Sequence, residues 1–245
     1  MRRLTLALLV PAAALAPLAA CSAHWNDDGK PGIAPSGSGG ERHYAADGFD
    51  TVALGAAADV AVHVGGGWSV VATGTPAALD KLKVMRDGRG LRIEARRNIL
   101  WTTGDHVRVV VTMPRISGAD IGGSGSITVD RAEGPVFTGN IGGSGALDVR
   151  ALRVQKARFA IGGSGDVKAA GSANQLDVSI GGSGNVDARP LVAETANVSV
   201  AGSGGLRATV RRSASVSIVG SGDVSIGGGA KCSVSKMGSG DVRCG

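Results

Sequence analysis

The chain is predicted to fold as an all-β, single-chain parallel β-solenoid, a right-handed β-helix with coils of 18–20 residues, on three observations. Gly-Ser-Gly recurs seven times in the second half of the 245 residues, with serines at Ser124, Ser144, Ser164, Ser183, Ser203, Ser221 and Ser239. The spacings are 20, 20, 19, 20, 18 and 18 residues, the period of a stacked structural unit. Residues three and five places from each serine are almost all aliphatic, while those four places away are mostly polar. That period of two marks strands with one buried face.

Residues 1–20 read as a lipoprotein signal peptide. Arg2 and Arg3 precede an apolar run, Leu4 to Val10, which ends in small residues before Cys21. Pro11 and Pro17 interrupt the run, which is shorter than the roughly 20 residues that span a bilayer. Leu18-Ala19-Ala20-Cys21 resembles the bacterial lipobox. The resemblance implies a diacylglyceryl group on the Cys21 thiol, cleavage before it and acylation (typically palmitate) of the new amino group. Two or three such chains hold a protein stably to a membrane. Ser22 follows the cysteine in place of an inner-membrane retention aspartate, which points to the outer membrane if the cell is Gram-negative.

Residues 21–48 are expected to be the lipidated cysteine and a flexible tether, since Asn26 to Gly32 and Pro35 to Gly40 offer little to bury. The folded domain is placed at 49–245, with N-terminal strands over 49–116 and seven Gly-Ser-Gly coils over 117–245. Strand-length runs occur at Thr51–Leu54, Asp59–Val64, Trp68–Val71, Leu91–Glu94 and Val107–Thr112. Pro76–Leu82 suits a short helix, and Asp87-Gly88-Arg89-Gly90 a turn between strands.

In the repeats, Ile127, Leu147, Val167, Val186, Leu206, Val224 and Val242 stand three after their serines. Ile121, Ile141, Ile161, Ile180, Val200 and Ile218 stand three before, with Lys236 breaking the column. Two short strands meeting at a glycine corner account for this pattern. The glycines permit positive φ and leave no Cβ to collide between coils. One unit cannot bury enough to offset its ordering entropy, so the coils must stack. Right-handed crossovers are the rule for parallel strands.

Ile121-Gly-Gly-Ser-Gly, Ile141-Gly-Gly-Ser-Gly, Ile161-Gly-Gly-Ser-Gly and Ile180-Gly-Gly-Ser-Gly, with the strand ending at Met113-Pro114 before them, resemble the auto-transporter adhesin head GIN domain family (DUF2807). The resemblance covers about Phe49 to Gly245. It implies a β-helical, secreted or surface-attached domain and brings no catalytic residues.

Without Arg2 and Arg3 the formal charge of +6 falls to +4. No run of like charges exists, and three Trp, three Phe and one Tyr leave little for stacking on bases, so no nucleic-acid partner is expected. The expected function is a lipid-anchored extracytoplasmic module of the bacterial cell envelope, acting in binding, adhesion or envelope structure. Its partners would be the membrane through the lipid, an envelope glycan or protein, and further copies through the solenoid ends. The candidate binding ladder is Ser179, Ser199, Ser217 and Ser235, one outward column four before the corner serine. The alternative is a polysaccharide-acting enzyme using an outward face that bears Asp166, Asp223 and Asp241. Against it, Asn185 and Gly205 interrupt that column, and His24, His43, His63 and His106 all precede the repeats. No catalytic residue, metal site or cofactor is assigned. The nine-residue calcium repeat is excluded because the period here is about twice as long. Cys232 and Cys244 have inward parity and are expected to bond across the last coil in an oxidising compartment, provided that it narrows to bring their Cα atoms within about 7 Å.

Overall fold

The computed structural model describes residues 31–96 and 106–245. The signal peptide, Cys21 and the first part of the tether lie outside the described residues. The strands are β1 (Pro35–Ser36), β2 (Glu41–Tyr44), β3 (Thr51–Gly55), β4 (Asp59–Val64) and β5 (Ser69–Gly74), then helix α1 (Pro76–Asp80). There follow β6 (Leu82–Asp87), β7 (Gly90–Ala95), β8 (Val107–Met113), β9 (Gly118–Ile121), β10 (Ser126–Val129), β11 (Ala132–Ile141) and β12 (Ala146–Ile161). The last are β13 (Asp166–Ile180), β14 (Asn185–Gly202), β15 (Gly205–Gly220), β16 (Val224–Gly227), β17 (Lys231–Met237) and β18 (Val242–Cys244).

From β9 onward the chain is a β-solenoid of about six turns whose coils pair in parallel. Val167 pairs with Val186, and Val186 with Leu206. All three are at most 2% exposed, so like aliphatic residues do form continuous interior columns. Each coil has three straight runs, not two. In β12 these are 146–149, 152–154 and 156–161, matched to the next coil with a register shift after Val149. The middle run supplies Leu152 and Val154, then Ala173, Leu191 and Ala193, to the same core. The changes in coil length fall in this stretch, while the residues flanking the corner keep their register.

Steric approach dictates the corner glycines. A Cβ on Gly163 would lie 2.2 Å from the Gly143 carbonyl oxygen, and one on Gly165 2.3 Å from that of Gly145. Such contacts do not occur, so only glycine lets adjacent corners stack while Ser164 N–H donates to Gly143 O at 3.1 Å. Positive φ enters at the glycine before the serine only in the last three corners: Gly202, Gly220 and Gly238 at 143°, 130° and 127°. There the preceding glycine of earlier copies has become Ala201, Val219 or Met237.

The N-terminal strands add two coils, out of chain order. The β3–β4 coil lies between β9–β10 on one side and the later β7–β8 on the other, all parallel. Antiparallel strands then close this end: β6 along β7, β5 along β8, and β2 along β5. Helix α1, with Pro76 at its start and Thr75 capping Ala78 N–H at 3.3 Å, brings Ala78 and Leu79 under the same floor. The tether expected to run to residue 48 therefore stops short. Tyr44 is 5% exposed, its strand is laddered to β5, and Ile33 N–H donates to Val84 O at 2.7 Å. The free backbone edge of β5 and a buried tyrosine order a segment whose Gly and Ser content suggested a linker.

Among the described residues the C-terminal end is bare: β17 and β18 close the last coil with no described strand above them, leaving Val234 47% and Met237 73% exposed. Lys236 stands in register above Ile218, and its Nζ donates to Gly240 O at 2.9 Å. Cys232, above Ala214, and Cys244, above Ile226, are disulfide-bonded with Cα atoms 6.5 Å apart. A short link, 228–230, joins β16 to β17 where the earlier coils have their middle run.

Candidate binding surface

Alternation along the run before each corner puts every second side chain in solvent. Ser179, Ser199, Ser217 and Ser235 pair in register from coil to coil. Ser179 is half-buried and the other three are exposed. The ladder is one column of a wider face. Asn197, Ser215 and Ser233 form a second, and Thr195 and Ser213 begin a third that ends at Lys231. Sequence reasoning missed these two columns. Their signal was present at six and eight residues before each corner serine, where the upper copies carry only short polar residues and the closing Lys231.

Lower on the same face the chemistry changes. Lys156 Nζ lies 2.7 Å from Asp177 Oδ2, while Gln175 and Asn197 amides donate to Asp177 Oδ1 at 2.8 and 3.0 Å. Burial pushes the Asp177 carboxyl up, but the Lys156, Asn197 and Gln175 hydrogen bonds outweigh it and hold the group below its ordinary value. In the coil of β9, Asp120 accepts from Asn140 Nδ2 at 2.6 Å, and burial raises its carboxyl above the usual range. The face thus grades from a locked charged network to an array of hydroxyls and amides with Lys231 at its upper edge. Short hydroxyl side chains both donate and accept, and they lose little rotamer entropy when a partner is laid on them.

The run after each corner carries the carboxylates considered above for an enzyme. Asp166 Oδ1 accepts from Asn185 N–H at 3.1 Å and from its side-chain amide at 3.2 Å. Asp223 Oδ1 accepts from Asp241 N–H at 2.9 Å. Both carboxylates fasten one coil to the next. Asp166 and Asp223 stand apart, with Asn185 and Gly205 between them in the column. Asp187 is gripped by Arg189 at 2.9 and 2.6 Å, and those hydrogen bonds lower its carboxyl to about 2. Among the described histidines, His43 pairs with Glu41 at 2.7 Å and His63 with Asp130 at 3.5 Å, in the N-terminal half and remote from the upper serines. Among the described residues no cluster of three or more His, Cys, Asp or Glu could hold a metal ion. No helix among them is long and apolar enough to cross a membrane.

Three solved structures share the fold. A putative adhesin of Bacteroides fragilis superposes with a TM-score of 0.76 at 21% identity, covering 87% of this chain and 100% of its own. A putative lipid binding protein of Parabacteroides distasonis gives 0.68 at 20%, covering 86% and 98%. A putative adhesin of Parabacteroides merdae gives 0.62 at 17%, covering 86% and 97%. No curated protein matches the chain. The family model described as "Putative auto-transporter adhesin, head GIN domain" matches residues 48–230, and with three-quarters of its length inside that match the chain belongs to this family.

Proposed function

We propose that the protein is an adhesion-type binding module of the bacterial cell envelope, carried outside the cytoplasm on a lipid at Cys21. The observation that carries this reading is the hydroxyl and amide face of the upper coils, where Asn197, Ser199, Ser215, Ser217, Ser233 and Ser235 stand in register on a rigid sheet. A preorganised array of this kind binds without first having to be ordered. Membership of an adhesin family and the use of the outward carboxylates to fasten coils favour binding over catalysis. Association of copies through the C-terminal end would have to displace Lys236 from over the core, so the proposal places partner contact on the sides.

The test uses the full chain on a glycan array and against envelope extracts. Binding that falls about tenfold or more on Ser199→Lys or Ser217→Lys, with the thermal midpoint unchanged, supports the reading. Undiminished binding by both variants removes the face from the mechanism. The anchor is tested separately: palmitate labelling in cells should vanish on Cys21→Ser, and labelling that persists refutes it.

A further inference from the structure

The column two places after each corner serine is filled at every coil but one. Ser126, Ala146, Asp166, Asn185, Gly205, Asp223 and Asp241 succeed one another, and the missing side chain at Gly205 opens a cleft of about 310 Å³. The volume lies at the small end of ligand sites, roughly 300–1,000 Å³. It suits a single ring-sized group.

The fold asks less of this glycine than of the corner glycine before it. Gly204, one residue earlier, would drive a Cβ to 2.3 Å from Gly184 O, a backbone atom held in the ladder. Gly205 has no positive φ, and a Cβ there would press on Asn185 Oδ1 at 3.1 Å and on Asp223 O at 3.3 Å. The latter is a backbone oxygen that accepts from Leu206 N–H at 2.9 Å, and each would have to give by a few tenths of an ångström. Glycine inside a strand often marks where a ligand approaches the backbone. The same geometry places Asn185 Oδ1, whose amide nitrogen is engaged with Asp166, in the volume that a side chain would have occupied. Asn185 and Asp223 face one another across about 9.6 Å, two strand spacings.

The lining alternates acceptors and donors. Asn185 Oδ1 and the second oxygen of the Asp223 carboxylate accept. Arg207 and Arg243 donate, and the Ser203 and Ser225 hydroxyls do both. Nothing among the described residues hydrogen-bonds the Arg207 side chain. The charges nearly cancel: Asp187 is neutralised by Arg189, while Asp223 and Asp241 stand against Arg207 and Arg243. A bare cation or a phosphate would gain little from such a balance. A hydroxyl that donates to an oxygen on one side and accepts from a guanidinium on the other would be matched.

We infer that the Gly205 cleft is a subsite for one neutral sugar unit of a glycan, its vicinal hydroxyls held between Asn185, Asp223 and Arg207. This deepens the binding role proposed above and rests on it, but it puts the recognition on the run after the corner, away from the serine face.

The probes are maltoheptaose, cellohexaose, mannohexaose and chitohexaose, titrated into the full chain in detergent. Amide chemical shifts and calorimetry are the readouts. At least one probe should bind, shifting the amides of Gly205 and Arg207. Gly205→Gln, which fills the cleft, should weaken it about tenfold or more, as should Asp223→Asn. Ala146→Gln, in the same column three coils lower, should leave both affinity and melting unchanged. Failure of all four probes to bind overturns the inference, as does a Gly205→Gln variant that binds like the parent. Binding that survives Gly205→Gln but is lost on Ser217→Lys would leave the serine-face reading standing and remove this one.

Discussion

The two ends of the solenoid solve the same problem in opposite ways. A stack of parallel coils exposes an apolar cross-section and an unpaired backbone edge at each end, a standing invitation to further pairing. At the N-terminal end the cross-section is covered. Antiparallel β5 and β6, with β2 and α1 alongside, bury Tyr44, Phe49, Leu79 and Leu82. At the C-terminal end none of the described residues covers it. The repeat is broken instead, by Lys236 reaching over the core and a disulfide stapling the last coil. Inward-pointing charge is a recognised guard against edge pairing. Covering takes many residues and makes the end part of the buried core, whereas breaking the repeat takes two or three and leaves an exposed margin.

The largest effect expected from this contrast is at the covered end. Phe49→Ala, at 1% exposure, should lower unfolding free energy in urea by about 3–5 kcal/mol, while Val234→Ala, at 47%, should change it by less than about 1 kcal/mol. Equal losses would mean that the ends are not different in kind. Next comes the staple. Reducing Cys232–Cys244 should destabilise by about 3 kcal/mol, with hydrogen exchange rising first in β16 to β18 and unchanged in β3 to β8. Loss of protection at both ends together would contradict a local role.

Between the ends, Gly184→Ala forces a Cβ to 2.1 Å from Gly165 O and should cost about 1–3 kcal/mol. Gly181→Ala, where a Cβ meets Ile161 O at 3.7 Å, should stay within about 0.5 kcal/mol. Thermal melts of the pair decide it. Lys236→Ile should leave melting nearly unchanged and produce concentration-dependent association by sedimentation. A variant as monomeric as its parent would dismiss the guard.

The smallest effect concerns charge. Asp120, near the covered end, has its carboxyl raised by burial, so the folded parent loses stability as pH rises through that raised value. Asp120→Asn should therefore melt slightly higher than the parent at pH 7, the gap closing as pH falls toward 4. A gap that is constant with pH would place the effect elsewhere.

The body of the fold was legible because the five residues on either side of each corner serine never change in number, so their parity survives every copy. The middle run was not, since insertions and deletions between Val149 and Leu152, or Ala188 and Val192, erase its period. The N-terminal cover is aperiodic, antiparallel and partly out of chain order, which leaves repeat arithmetic nothing to count. Tyr44 was hidden by the glycines and serines around it. On the surface, the Ser179 to Ser235 column could be read from one offset. The cleft could not, because its mark is the absence of a side chain at Gly205 in a chain with 41 glycines.

Stacking of each coil directly on the last is tested most directly by electron–electron distances between spin labels on the exposed corner serines, in a Cys21→Ser background. Labels at Ser144 with Ser203, Ser221 or Ser239 span three, four and five coils, and should give mean distances of about 14, 19 and 24 Å, a rise of about 4.8 Å per coil. Distances that fail to grow in equal steps with coil number would contradict the solenoid itself.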